Sequence, residues 1–280
     1  MKKILVPFDF SKESKYGLEL AISLAEMSNA TIDLLYVVED LGEDLFITSG
    51  QTNTATGIDD VFVLKVIQQS KNKLAKLVAE LKAKKIRVVS DLKFGGLYKH
   101  IGTRIDNKQC DIVIMGTKGS SGLQEILVGS NAEEVTRTVT VPVITVRKPV
   151  KKKDLRKVVI ATNFEFIPTN VVNSIKKMQD WFDFNVVIAN VNTPHLFHSS
   201  NDAMTKLKEI AKKAGFANTE VVVYNDYNEE TGIVNLGKDY DADLIILGTH
   251  QRKGLKRLLY PSVAAYLVNH SELPVMTYNV

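Results

Sequence analysis

The sequence predicts an α/β protein made of two tandem, doubly wound domains, each with a five-stranded parallel sheet. Three observations carry that prediction. Short β-branched apolar runs alternate with helical stretches, each run is nearly continuous in apolar character, and the whole pattern occurs twice along the 280-residue chain. Alternation implies crossover connections and a parallel sheet. Continuous apolar strands imply helices on both faces.

The repeat is direct. Lys3-Ile4-Leu5-Val6-Pro7-Phe8-Asp9-Phe10 matches Lys157-Val158-Val159-Ile160-Ala161-Thr162-Asn163-Phe164 at an offset of 154, and Tyr36-Val37 matches Asn190-Val191 at the same offset. Further on, DIVIMGT from Asp111 matches DLIILGT from Asp243 at an offset of 132, which holds from Ile101/Ile233 to Val141-Pro142-Val143 and Leu273-Pro274-Val275. The first copy therefore carries 22 extra residues between Tyr36 and Ile101. The polar stretch Glu39 to Asp60 is the expected place for most of them. A break at Pro149–Lys153 separates domains at 1–149 and 154–280, with Lys151–Lys153 read as a solvated linker.

In the first copy the strands are expected at Lys3–Pro7, Thr31–Val38, Arg87–Phe94, Asp111–Gly116 and Val141–Arg147. Ser11 is a plausible N-cap for the first helix, on which Leu18, Ala21, Ile22 and Ala25 share a side. A second helix from about Asp60 places Leu64, Ile67, Leu74, Leu77, Val78 and Leu81 on one stripe. Val141–Arg147 and Leu273–Tyr278 close their sheets as apolar, β-branched edge strands. Bare edges of this kind need cover; the family resemblance given below implies that the two strands pair within the chain as an intramolecular pseudo-dimer, and a further homodimer is a second expectation.

The bulk numbers narrow the function classes. Hydrophobic residues make up 45% and charged residues 24%, as in soluble globular proteins. A net charge of +4 argues against a dedicated nucleic-acid binder, which concentrates a larger basic excess on one face. Cys110 is the only cysteine, so no intrachain disulfide or multi-cysteine metal site can form. No apolar run reaches bilayer length, and the N-terminus lacks a signal-peptide apolar region. No membrane partner is expected, and a cytoplasmic location is. The histidines are dispersed, and neither a P-loop nor a nucleophile elbow is present. No catalytic residue is assigned. Trp181, in register with Ile175 and Met178, reads as core, and Cys110 as inert packing.

In doubly wound sheets ligands bind beyond the strand carboxyl ends, where strand order reverses. Asp9 follows the first strand, Val37 ends the second, and Gly116 ends the fourth and opens Gly116-Thr117-Lys118-Gly119-Ser120-Ser121-Gly122. That loop leads to Gly129-Ser130 and the last helix. Glycines let backbone N–H groups approach a phosphate, and a helix start turns unpaired N–H groups and positive dipole toward the same anion. The Ser130 hydroxyl adds a donor, and Asp9 is placed to accept from ribose hydroxyls. Each feature alone has an ordinary explanation as turn or cap; their convergence on one sheet edge does not.

The spacing Gly116-x2-Gly119-x9-Gly129-Ser130, after DIVIMG and before Val-Pro-Val-Ile, resembles the nucleotide-binding signature of the universal stress protein family, as does the opening ILVPFDFS. The resemblance covers both copies. It implies a Rossmann-like or flavodoxin-like domain of the adenine nucleotide alpha hydrolase-like kind, and binding of ATP, AMP or ADP, with Mg2+ or Mn2+ as candidate companions. It implies that Pro7, Phe8 and Asp9 flank base and ribose, with Val37 beside adenine. Met115, Gly116 and Gly119 line the ribose–phosphate path, with Lys118 as a phosphate partner, and Gly129, Ser130 and Asn131 hold the phosphates.

The second copy departs from this pattern. Asp9 becomes Asn163, Gly119 becomes Gln251 and Gly129 becomes Pro261, which removes an N–H donor. Gly248, Gly254 and Ser262 remain, while Arg252, Lys253, Lys256 and Arg257 read as a solvated basic face. The leading expectation is a stress-response regulatory protein that holds one adenine nucleotide in its first copy and uses the second as a structural or partner-binding half, with a regulatory protein as partner. Alternatives are a slow ATPase or autophosphorylating protein, with Ser130 or a neighbouring hydroxyl as acceptor, and an interaction scaffold without ligand.

Overall fold

The structure is a computed structural model that describes residues 1–38, 57–107, 110–118, 130–150, 155–249 and 263–280, without the side chains of 57–64, 66 and 130. The first half runs β1 (Lys3–Pro7), α1 (Lys12–Ser28), β2 (Thr31–Val38), α2 (Gly57–Ala83), β3 (Val88–Phe94), α3 (Leu97–Asp106), β4 (Ile112–Gly116), α4 (Ser130–Thr138) and β5 (Val143–Val146). The second runs β6 (Lys157–Ala161), α5 (Thr169–Phe182), β7 (Asn185–Asn192), α6 (Ser200–Ala214), β8 (Thr219–Asn225), α7 (Glu229–Asp239), β9 (Leu244–Thr249), α8 (Val263–His270) and β10 (Val275–Asn279).

The strands lie in the order β3-β2-β1-β4-β5-β10-β9-β6-β7-β8. Neighbours within each half are parallel, and the order reverses between β1 and β4 and again between β6 and β9. β5 and β10 pair antiparallel, with Ile144 opposite Met276 and Thr145 opposite Val275. Their pairing makes one ten-stranded sheet of the two halves. The expected strand positions match the observed ones to within two residues at either end.

Both faces of the sheet are covered, and each core continues across the β5–β10 seam. One contains Leu24, Ile144, Met276 and Leu207; the other contains Ile101, Val135, Val275 and Leu267. Cross-seam hydrogen bonds cap helix ends. Arg147 donates to the Asn269 and Ser271 carbonyls at the end of α8, and Asn279 Nδ2 to the Val139 carbonyl after α4. These bonds satisfy C-terminal carbonyls that have no partner within their own helix.

The expected caps form. Ser11 Oγ accepts from Ser14 N at 3.1 Å at the start of α1, and Asn29 ends that helix in the left-handed region at φ 57°. The longer α2, 27 residues against 15 in α6, takes up part of the first half's extra length. One expectation shifts. Trp181 packs only partly against the core, because it is the next-to-last residue of α5. The segments 39–56 and 151–154 lie outside the described residues. Among the described residues no helix is long and apolar enough to cross a membrane.

The halves differ sharply under α3 and α7. Arg104, 9% exposed, meets Asp33 Oδ2 through Nε at 3.3 Å and Asp91 Oδ2 through Nη2 at 2.9 Å; Lys3 Nζ adds a contact to Asp33 at 3.3 Å. The corresponding positions of the second half are Leu236, Val187 and Val222, all packed in one apolar cluster. An ion triad and a hydrophobic triad thus fill the same place in one frame. Removing a single charge from a buried ion network is expensive, while replacing the whole network by fitted apolar groups is neutral or stabilising. Arg104→Leu alone is expected to cost about 3–5 kcal/mol in urea unfolding. The triple variant Asp33→Val, Asp91→Val, Arg104→Leu, which copies the second half, is expected to recover most of that loss.

Candidate functional site

The site begins where β1 ends. Phe8 N donates to Leu35 O at 2.9 Å, extending the β1–β2 ladder by one bond. The chain then turns sharply at Phe10, whose φ of 65° is costly for a bulky residue. Aromatic packing holds the turn: Phe10 meets Phe8 edge-on at 4.9 Å and Tyr36 at 5.4 Å. The turn brings Ser11 N to Asp9 Oδ1 at 2.9 Å, and α1 starts directly afterwards.

The first turn of α1 lies on the end of β4. A Cβ on Gly116 would stand 2.1 Å from the Glu13 carbonyl carbon and oxygen, and one on Gly17 would stand 3.0 Å from Gly116 N. Gly116 is therefore required by helix-on-strand packing, a different reason from the anion approach expected of it. With α1 seated this low, its N-terminal turn faces the gap between β1 and β4.

That gap is a cleft of about 570 Å³ counted out to solvent. Pro7, Phe8, Asp9, Val37, Met115, Gly116 and Asn131, all expected as site residues, line it. The Phe8 ring is buried in the core, so Phe8 can offer a ligand backbone rather than side chain. Four further lining residues were not anticipated: Ser11, Ser14, Leu35 and Leu97. The Ser-x-x-Ser spacing was the available signal for the first two, but it reads as a cap unless the helix is known to abut a cleft. Lys118 is exposed two residues past β4, and its carbonyl accepts from Arg147 Nη2 at 3.5 Å. Gly119 and Gly129 lie outside the described residues; Ser130 begins α4.

Partial burial favours the neutral form of the Asp9 carboxyl, yet hydrogen bonds from Ser11 and Ser14 outweigh it and hold the pKa below its ordinary value. Asp9 therefore enters the cleft as an acceptor at neutral pH. Burial pushes the Cys110 thiol up to about 12, with Asp111 and Asp33 adding to it, in keeping with its inert place below β4. Among the described residues no group of three or more His, Cys, Asp or Glu is placed to hold a metal ion.

The second half has a cleft at the corresponding place, of about 730 Å³ on the same measure. Asn163 stands there for Asp9, Glu165 for Ser11 and Glu229 for Leu97. Pro168 falls where Ser14 lies in the first half, and α5 starts only at Thr169 without a side-chain cap. The place above Gly248 is taken by Val280 and Tyr278, whose atoms would lie 2.4 and 3.4 Å from a Cβ there. The substituted loop positions Gln251 and Pro261, with Arg252, Lys253, Gly254, Lys256, Arg257 and Ser262, lie outside the described residues.

Two doubly wound half-sheets, each with a cleft at its order reversal, make this a tandem α/β protein. The universal stress protein family model matches residues 1–147 and 185–279, and the chain belongs to that family. It is similar to universal stress protein MJ0577 of Methanocaldococcus jannaschii, 27% identical over 52% of this chain and 95% of that protein. Universal stress protein Slr1230 of Synechocystis aligns with 99% of this chain and 100% of its own length at 22% identity. In fold, the chain matches the crystal structure of a universal stress protein from Archaeoglobus fulgidus at a TM-score of 0.76 and 16% identity, covering 99% of this chain and 96% of that one.

Two outcomes are expected from this geometry. Gly116→Ala is expected to destabilise the fold by about 1–3 kcal/mol, as overpacking against a backbone does, whereas Gly102→Ala, with open space around its Cβ, is expected to be neutral or mildly stabilising. The depressed Asp9 pKa makes its contribution to stability complete above the ordinary carboxylate value of about 4 and lost as pH falls through the lower folded value. The stability difference between the wild type and Asp9→Ala, read by urea unfolding at stepped pH, is accordingly expected to be constant near neutrality and to shrink only in that acid range.

Proposed function

We propose that the chain is a stress-response regulatory protein that holds one adenine nucleotide, ATP or AMP, in the cleft of its first half. The observation that carries this reading is the meeting of an ionised Asp9, the N-terminal turn of α1 and the start of α4 around one cleft at the strand-order reversal. Family membership supports it, since the Gly116-x2-Gly119-x9-Gly129-Ser130 spacing is the part of the chain that resembles the family's nucleotide signature. Asp9 accepts from the ribose hydroxyls, and Val37 and Pro7 flank the base. Gly119, Gly129, Ser130 and Asn131 meet the phosphates, with Lys118 as an added cation. Any Mg2+ or Mn2+ arrives with the phosphates, because Asp9 alone is no metal site.

Residues 1–149 and 154–280 act as two domains of unequal chemistry. The second lacks the α1-type first turn, and Asn163 stands at its cleft where Asp9 stands in the first. It serves as a structural and partner-binding half for a regulatory protein, and the pairing of β5 with β10 acts as an intramolecular pseudo-dimer. Calorimetric titration with ATP is expected to give one nucleotide per chain, and two equivalent sites would overturn the reading. Asp9→Ala is expected to weaken ATP and AMP by the same factor, about tenfold or more for a lost charge-assisted bond; loss for ATP alone would assign Asp9 to the phosphates.

A further inference from the structure

Among the described residues the ten-stranded sheet ends on β3 at one side and on β8 at the other. The two edges are not alike. On β3, Asp91 and Lys93 carry charge and pair with each other at 3.1 Å, and His100 Nε2 donates to the Phe94 carbonyl at 2.8 Å. Charges and occupied backbone groups are how edge strands discourage pairing. β8, Thr-Glu-Val-Val-Val-Tyr-Asn, has no lysine, arginine, proline or glycine, and Glu220 is its single charge. Such a β-branched and aromatic run readily takes up another strand.

The register of β8 on β7 fixes which of its backbone groups face outward. Val186 N donates to the Asn218 carbonyl, and Asp226 N to the Asn192 carbonyl. In a parallel ladder alternate residues bond to the neighbouring strand. Glu220, Val222 and Tyr224 therefore turn their N–H and C=O groups toward β7. Thr219, Val221, Val223 and Asn225 turn theirs outward, where no described residue meets them.

We propose that β8 is a dimerisation edge, pairing antiparallel with β8 of a second copy about a two-fold axis at Val222. In that register Val221 faces Val223 of the partner subunit and Thr219 faces Asn225 of the partner subunit, so every outward N–H and C=O is met. Glu220 falls opposite Tyr224 of the partner subunit, so the strand's one charge does not oppose itself. Just past the strand, the same register sets Tyr227, 87% exposed, opposite the exposed Ala217 of the partner subunit. The strand is thus complementary to itself. Pairing of β8 with β3 would meet the guarded edge and, being head-to-tail, would leave an edge free for further addition. Self-pairing closes after two copies. The chain already joins β5 and β10 in this way, antiparallel about Ile144 and Met276. Seven residues at about 3.4 Å each give an edge about 24 Å long, which suits a weak, concentration-dependent dimer and not an obligate one.

Sedimentation equilibrium of the full chain across the micromolar range is expected to show monomer passing to dimer and nothing larger. Val223→Pro deletes an outward N–H and leaves the β7–β8 ladder whole, a placement that edge strands accept. Val223→Lys keeps the backbone and sets a charge on the pairing edge. Each is expected to raise the dissociation constant about tenfold or more, with the fold checked by an unchanged circular dichroism spectrum. Ser90→Pro, at an exposed outward position on β3, is expected to leave the dimer as it is. Hydrogen exchange is expected to slow at the amides of Thr219, Val221, Val223 and Asn225 as concentration rises, while those of Glu220, Val222 and Tyr224 stay protected throughout. A chain monomeric at every concentration, a dimer indifferent to both Val223 variants, or growth beyond the dimer would overturn the proposal.

Discussion

Strands β5 and β10 each end a parallel sheet, and each is buried along its length but for the last residue of β10. Left bare, either would offer unpaired backbone groups and β-branched side chains to any passing strand. Their antiparallel pairing closes both edges at once and continues the core on both sides of the sheet. The consequences reach the first cleft. Asn279, from the second half, caps the carboxyl end of α4, and Arg147 ties the carbonyl of Lys118 to the end of α8. The elements that frame one half's cleft are thus partly held by the other half.

Within that frame, a difference of a few residues separates the two clefts. α1 starts five residues after β1, whereas α5 starts eight residues after β6. The early start seats a helical turn on Gly116 and aims it into the cleft. The late start leaves that place to an aromatic ring and a valine above Gly248. Phe10 and Phe164 nevertheless keep the same left-handed turn, at φ 65° and 64°, so the strained corner is a property of the frame and not of either ligand site.

Strand positions, the repeat and the cleft residues Asp9, Val37 and Gly116 were legible because each rests on a local pattern: apolar runs, matched offsets, and residues at strand ends; Pro7, Phe8, Met115 and Asn131 were legible only through the family resemblance. Gly116 was legible as a special glycine, but its reason was not, since Glu13 approaches it only after α1 docks. The Arg104–Asp33–Asp91 triad was hidden for a similar cause. Its members lie far apart in sequence, and a lone Asp inside an apolar strand does not name its partner. Ser11 and Ser14 read as helix caps, which they are; only the low seating of α1 makes them cleft residues as well.

Joining the halves in one chain also gives the pair a polarity. Two identical subunits meeting through their last strands present the same features at both ends, and a partner gripping the seam could do so in either of two orientations. Here one cleft is fronted by the first turn of α1, while at the other the exposed Asn163 and Glu165 precede a helix that starts three residues later. A protein that reads the outer surface across β5 and β10 meets a molecule with a distinct left and right, and can be seated in one sense only.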